Sequence, residues 1–252
     1  MELLDVVTLL GIGVLGGVWN AVAGGATLFT FPALMAAGLP PLVANATNYV
    51  ALLPSNAAAL PAYRCELRQV GRALWPLVIV SGLGAIVGSV LLLFSDPAVF
   101  ERLIPALILT ATALFAFGDQ IRAKLLHVAG GTRTGSVVYL GLFVASIYGG
   151  YFGAGLGIIL LGIAQIMGYS DFHVANAIKN LLASSFSLLS IIVFGVGGLI
   201  AWPQAFAMMA GSTLGGYLGG TFAKYTNPRL LRGAVILFGV VLSGVYAWRA
   251  FA

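Results

Sequence analysis

The chain has 252 residues, 60% of them hydrophobic, with only 12 Lys and Arg and 7 Asp and Glu. A mean hydropathy of +1.05 exceeds what a soluble core of this length needs, which excludes a soluble enzyme and makes a lipid bilayer the solvent. The net charge of +5 is scattered over polar stretches between apolar runs, where basic residues orient a membrane protein instead of binding nucleic acid. A spanning helix takes about 20 apolar residues, and runs of that kind fall near 3–22, 42–60, 73–94, 98–117, 136–153, 177–199, 204–223 and 229–251. Shorter apolar stretches, 26–37 and 156–168, follow the first and fifth runs. The alternation of a β-barrel is absent, so the expected fold is an all-α polytopic membrane protein. The first run lacks a basic leading region and continues past signal-peptide length, so no cleaved targeting sequence is expected.

In the first run, Gly16-Gly17-Val18-Trp19-Asn20 leads into Ala23-Gly24-Gly25-Ala26-Thr27 and then Phe31-Pro32. Glycine at this density weakens a helix by roughly 0.5–1 kcal/mol per residue. The segment should therefore unwind and leave bare amides, which membrane depth tolerates only where they line a cavity. A half-helix restarting after the break would aim its positive end at that cavity and favour an anion. The run beginning at 42 carries Asn45, Asn48 and Asn56 close to one helical face, together with Ser55. Unpaired amides facing hydrocarbon cost several kcal/mol, so this face must turn inward, to bond neighbouring helices or to read solute oxygens. The arginine-bearing stretch 64–72 holds Cys65, the single cysteine, which excludes an intrachain disulfide and a cysteine metal site. No cofactor motif is present.

The second half repeats the first. Asn176 stands 131 residues after Asn45 in the same Ala-Asn-Ala frame, and Gly155 stands 131 residues after Gly24. A loop shorter by four residues then places Trp75-Pro76 over Trp202-Pro203, Gly84 over Gly211 and Gly88 over Gly215. Gly84, Gly88, Gly211 and Gly215 have the spacing of close helix packing, within the chain or in a homodimer. Residues 1–117 and 136–252 thus read as two homologous repeats of about four helices, joined by a cytoplasmic linker at 118–135. If the stretches 3–37 and 136–168 each enter and leave on one face as broken or re-entrant elements, the repeats are inverted. Leaving aside Lys179, nine of the other eleven Lys and Arg then share the cytoplasmic side, against seven for eight plain spans.

The second glycine-rich stretch, around Gly153 and Gly155, precedes Asn176, Lys179 and Asn180, with Ser184, Ser185 and Ser187 beyond. A lysine several residues inside a polar face, opposite a broken helix, can balance an anion; near a helix end it can also snorkel to the interface. Asp171 and His173 stand at the entrance of this segment, as a helix cap with an interfacial neighbour or as a proton relay. Paired, interrupted segments in two halves point to a secondary transporter with its site at the repeat interface. The expected contacts are Gly24, Gly25, Asn45, Asn48, Gly153, Gly155, Asn176, Lys179 and Asn180, holding a small anionic solute. A passive anion channel would reuse that site. A lipid-modifying enzyme built on Lys179, His173 and Ser184 is a further alternative, although no hydrolase or metalloprotease motif occurs.

At the glycine-rich first segment ending in Phe31-Pro32, at Ala44-Asn45-Ala46-Thr47-Asn48, and at their counterparts from Gly153 to Asn180, the chain resembles the sulfite exporter TauE/SafE family of membrane permeases. The resemblance covers nearly the whole chain. It implies secondary transport of sulfite or organosulfonate-type anions across the bacterial inner membrane, most often export. Two departures touch the expected site: Ala23-Gly24-Gly25-Ala26 replaces a Gly-x-Gly-Gly-Gly block, and Asn48 stands where a hydroxyl is usual.

Overall fold

The computed structural model describes residues 3–22, 25–58, 60–128, 136–222 and 228–251, and all regular structure among them is helical. The helices are α1 (Leu3–Val22), α2 (Thr27–Ala36), α3 (Pro41–Ala57), α4 (Arg64–Val70), α5 (Leu74–Leu93) and α6 (Pro97–Val128). They continue as α7 (Ser136–Tyr151), α8 (Leu156–Ile166), α9 (Phe172–Val196), α10 (Trp202–Phe222) and α11 (Pro228–Phe251). Four stretches among the described residues are long and apolar enough to cross a membrane: Leu3–Asn20, Arg64–Leu93, Pro97–Gly118 and His173–Val196. Large apolar side chains such as Leu3, Leu91, Leu140 and Val196 point outward. Asn45, Thr47, Asn48 and Ser146 are buried. That inside-out distribution is the one a hydrocarbon solvent selects.

Local sequence explains where the helices start. Pro41 sits in the first turn of α3 with its fixed φ. The side chain of Asp171 caps α9 by accepting from the amides of His173 at 2.8 Å and Val174 at 3.0 Å. Helix α8 begins after Gly155, whose φ of 77° is a left-handed value that glycine adopts without a Cβ penalty.

The helices pack in matched pairs. Helix α1 packs against α10 and α5 against α7; α3 meets α10, and α9 meets α5; α3 also packs against α9, and α6 against α11. Small residues make the closest approaches. A Cβ on Gly84 or Gly88 of α5 would fall on Phe143 O or Ile147 O of α7, and one on Gly211 or Gly215 of α10 on Leu10 O or Val14 O of α1. Hydroxyls supplement this packing, with Ser146 donating to Ser81 at 3.1 Å and Ser89 to Ser190 at 2.8 Å.

The observed helices differ from the hydropathy runs in two places. Arg64, Glu66 and Arg68 dilute the apolar content of α4, a seven-residue helix packed against α9 that lies outside the apolar runs read from the sequence. Helix α6 continues beyond the run at 98–117, carrying residues 118–128 of the expected linker, while residues 129–135 fall outside the described residues. Hydropathy stops where charge begins, but the backbone ladder of a helix does not.

Candidate functional site

Two helix N-termini converge on one cavity. Its volume is about 80 Å³, roughly that of three waters. From the first half, Asn20 of α1, Gly25 and Thr27 at the start of α2, and Asn48, Tyr49, Leu52 and Asn56 of α3 line it. From the second half come Phe152, Gly153, Gly155, Leu156 and Gly157 at the start of α8, and Lys179, Ala183, Phe186 and Ser187 of α9. The φ values of Gly25, Gly153 and Gly155 are 83°, 73° and 77°. At Gly25 a Cβ would also collide with the ring of Phe115.

The first turns of α2 and α8 leave amides free. Leu156 and Ile158 donate back to Gly153 O and Gly155 O at 3.3 and 3.2 Å, whereas the Gly157 amide has no backbone acceptor among the described residues. The Thr27 amide likewise has none there. Together the helix starts supply partial positive charge and open donors, the combination that binds oxyanions. Among the described residues of the cavity wall, Lys179 carries the one formal charge. It is half-buried, has no carboxylate partner among the described residues, and its stem passes Gly157, where a Cβ would lie 3.5 Å from Lys179 Cδ.

Hydrogen bonds fix the polar wall. Asn48 accepts from Thr30 Oγ1 at 2.5 Å and donates to Thr27 Oγ1 at 3.2 Å, tying α3 to the first turn of α2. Asn20 donates to Ser55 Oγ at 2.6 Å, with Asn56 Oδ1 at 3.4 Å. The segment between α7 and α8 is held by Tyr49, which donates to Gly149 O, and by Tyr148, which donates to Ala154 O at 2.7 Å.

Of the residues expected from sequence, Gly25, Asn48, Gly153, Gly155 and Lys179 line the cavity. Gly24 falls outside the described residues. Asn45, Asn176 and Asn180 do not line it. Asn45 is fully buried and donates to Tyr151 O at 2.8 Å at the end of α7. Asn176 donates to Tyr63 Oη at 2.8 Å, and Asn180 is buried one residue beyond Lys179. Asp171 and His173 are exposed at the start of α9, with Asp171 occupied as its cap. Asp171→Ala should lower stability by about 1 kcal/mol, read by thermal unfolding, with solute flux retained; loss of flux in a folded variant would give Asp171 more than a capping role.

The residue on α9 that answers Asn48 is Lys179, 131 residues on, rather than Asn180. The same offset carries Leu52 onto Ala183 and Asn56 onto Ser187, and all six line the cavity. Each helix therefore presents positions i, i+4 and i+8 of one face. Asn20, Thr27, Tyr49, Phe152 and Phe186 also form the wall but were not expected as contacts. An amide inside an apolar run was a signal for Asn20, whereas nothing distinguishes Phe152 or Phe186 from other apolar residues of the bundle.

A membrane-spanning helical bundle that gathers amides, bare helix starts and one ammonium around an interior cavity has the architecture of a transporter. The chain belongs to the sulfite exporter TauE/SafE family, whose model matches residues 9–246. It is similar to a "Probable membrane transporter protein" of Haemophilus influenzae, 31% identical over 241 residues that cover 92% of this chain and 90% of that one. It is 25% identical to "Probable membrane transporter protein YfcA" of Escherichia coli over 92% of this chain and 86% of the other. A "Probable membrane transporter protein ORF9" of a Sinorhizobium species is also 25% identical, over 91% and 87%. No solved structure matches the chain. The protein is a multi-pass transporter of the bacterial inner membrane.

Proposed function

We propose that the protein is a secondary transporter that exports a small sulfur-containing anion, of the sulfite or organosulfonate type, by alternating access. The observation that carries this reading is the meeting of the α2 and α8 N-termini with Lys179 around one cavity. Positive potential from three sources, with no carboxylate among the described residues of the wall, favours an anion. The cavity draws residues from both halves of the chain, as a carrier needs if rocking one half against the other is to expose its site alternately.

In this reading residues 1–117 and 136–252 are inverted repeats joined by the linker at 118–135, each with a broken first element, α1–α2 and α7–α8. The matched packing of α1 on α10 and α5 on α7, and the shared offset of cavity positions on α3 and α9, support it. Both termini then lie outside the cytoplasm. Export of an anion from a negative-inside cell is driven by about 2.3 kcal/mol per charge per 100 mV, so it needs no coupled ion.

The test is flux of sulfite and sulfoacetate in proteoliposomes with membrane potential and pH gradient set independently. Saturable flux that shows counterflow is expected. Flux without counterflow, which no solute gradient can drive uphill, would make the protein a passive channel, and absence of flux for both solutes would remove the assignment of the solute class.

A further inference from the structure

The cavity has two chemically different ends along α9. Lys179 marks one. Phe186 and Ser187 mark the other, two helical turns on and about 10 Å further along the axis, with Ala183 as the small floor between them. Across from this stripe α3 presents Asn48, Leu52 and Asn56. A solute anchored by its charge at Lys179 thus lies in a slot over Ala183, and its far end meets an aromatic ring.

The two rings on the wall differ in how they are held. Phe152 is 1% exposed and packs edge-on against Phe31, with centroids 5.5 Å apart at 87°. That ring is part of the core under α8. Phe186 is buried at 6%, has no ring partner among the described residues, and faces the cavity. Its counterpart at the offset of 131 is Ser55, which does not line the cavity and is engaged by Asn20. The bulk that closes the slot therefore comes from one half of the protein alone.

We infer that Phe186 is a specificity-determining residue that limits the length of the transported anion, confining the site to an oxyanion head with at most a very short apolar tail. This rests on the anion-transport reading above. A ring projecting onto the end of a small slot rejects added methylenes by steric conflict, and one methylene more than a pocket accommodates costs about tenfold or more. Truncating the ring lengthens the slot without touching Lys179, the helix N-termini or the asparagines that form the charged end.

The experiment measures proteoliposome flux of sulfite and of the unbranched series from methanesulfonate to hexanesulfonate, for wild type, Phe186→Ala and Phe186→Leu. Wild type should carry sulfite and the shortest sulfonates, then fall about tenfold at a definite chain length. Phe186→Ala should carry members about two carbons longer, read as the flux of each sulfonate relative to that variant's own sulfite flux. Phe186→Leu, which keeps the helix packed, should move the limit by less and serves if the alanine variant does not fold. An unchanged chain-length limit in a variant that still carries sulfite would overturn the role of Phe186 and leave the anion site standing. Flux of neither sulfite nor any sulfonate by wild type would overturn the anion reading itself, and the filter with it.

Discussion

Lys179→Gln is expected to reduce anion flux by roughly 10–100-fold at limiting solute while the purified protein keeps or gains thermal stability. The first half of that expectation comes from electrostatics. A charge-assisted hydrogen bond is worth about 1.5–3 kcal/mol, and each 1.4 kcal/mol is a factor of ten in affinity. Glutamine keeps a polar donor on a shorter stem but removes the one formal charge among the described residues of the cavity wall. The second half comes from the absence of a partner. A half-buried ammonium with no carboxylate beside it among the described residues is costly to place inside a membrane protein. Removing that charge relieves the fold. Loss of function with a stability gain is a signature that a purely structural lysine would not give, since removing a structural contact lowers both. The measurements are sulfite flux in proteoliposomes and thermal unfolding in detergent. Wild-type flux in the variant would exclude Lys179 from the anion site, and a large fall in stability would reassign it to the scaffold.

The same asymmetry explains what was legible in the sequence. Helix positions follow from hydropathy because each crossing must be apolar for about 20 residues, and α3, α5 and α9 fall where those runs lie. Helix α4 was illegible because seven residues with three charges resemble a loop. Glycines 25, 153 and 155 were legible as breaks because their density disfavours a helix, and all three have positive φ. The asparagines were only half legible. Recurrence marks Asn45 and Asn176 as turned inward, but a residue three positions away on a helix is rotated by about 60°. That rotation separates Asn48, on the cavity wall, from Asn45, which braces the end of α7. By residue type Asn48 would answer Asn180, whereas the register pairs it with Lys179. Phe186 could not be found at all, because the end of a slot is defined by what stands opposite it, and one helix does not encode its neighbour's distance.

Gly88→Ala and Gly215→Ala should be among the most damaging single-methyl changes at the described residues, each costing about 3 kcal/mol, and their costs should match. Both glycines sit where two helix backbones touch. A Cβ on Gly88 would land on the carbonyl of Ile147, and one on Gly215 on the carbonyl of Val14, each closer than the 3.0 Å that real Cβ atoms observe. The obstacle in each case is main chain, which cannot rotate away as a side chain can, so α5 must separate from α7, or α10 from α1. Separation forfeits the van der Waals contact that drives helix association in lipid, where apolar burial offers little because the tails are as apolar as the side chains. Gly141→Ala supplies the control. It adds the same methyl to α7 at a position with nothing within 4 Å, and should leave stability unchanged or raise it by up to about 1 kcal/mol, the helix-propensity gain of Gly→Ala. The three variants are compared by SDS-induced unfolding of the purified protein. Equal losses at 88 and 215 with none at 141 would mean that the two halves are clamped by the same backbone contact, made once by each half. A large loss at only one of the pair would show that one clamp holds the bundle while the other gives, and the carrier would then rock about the yielding interface rather than about a symmetric centre.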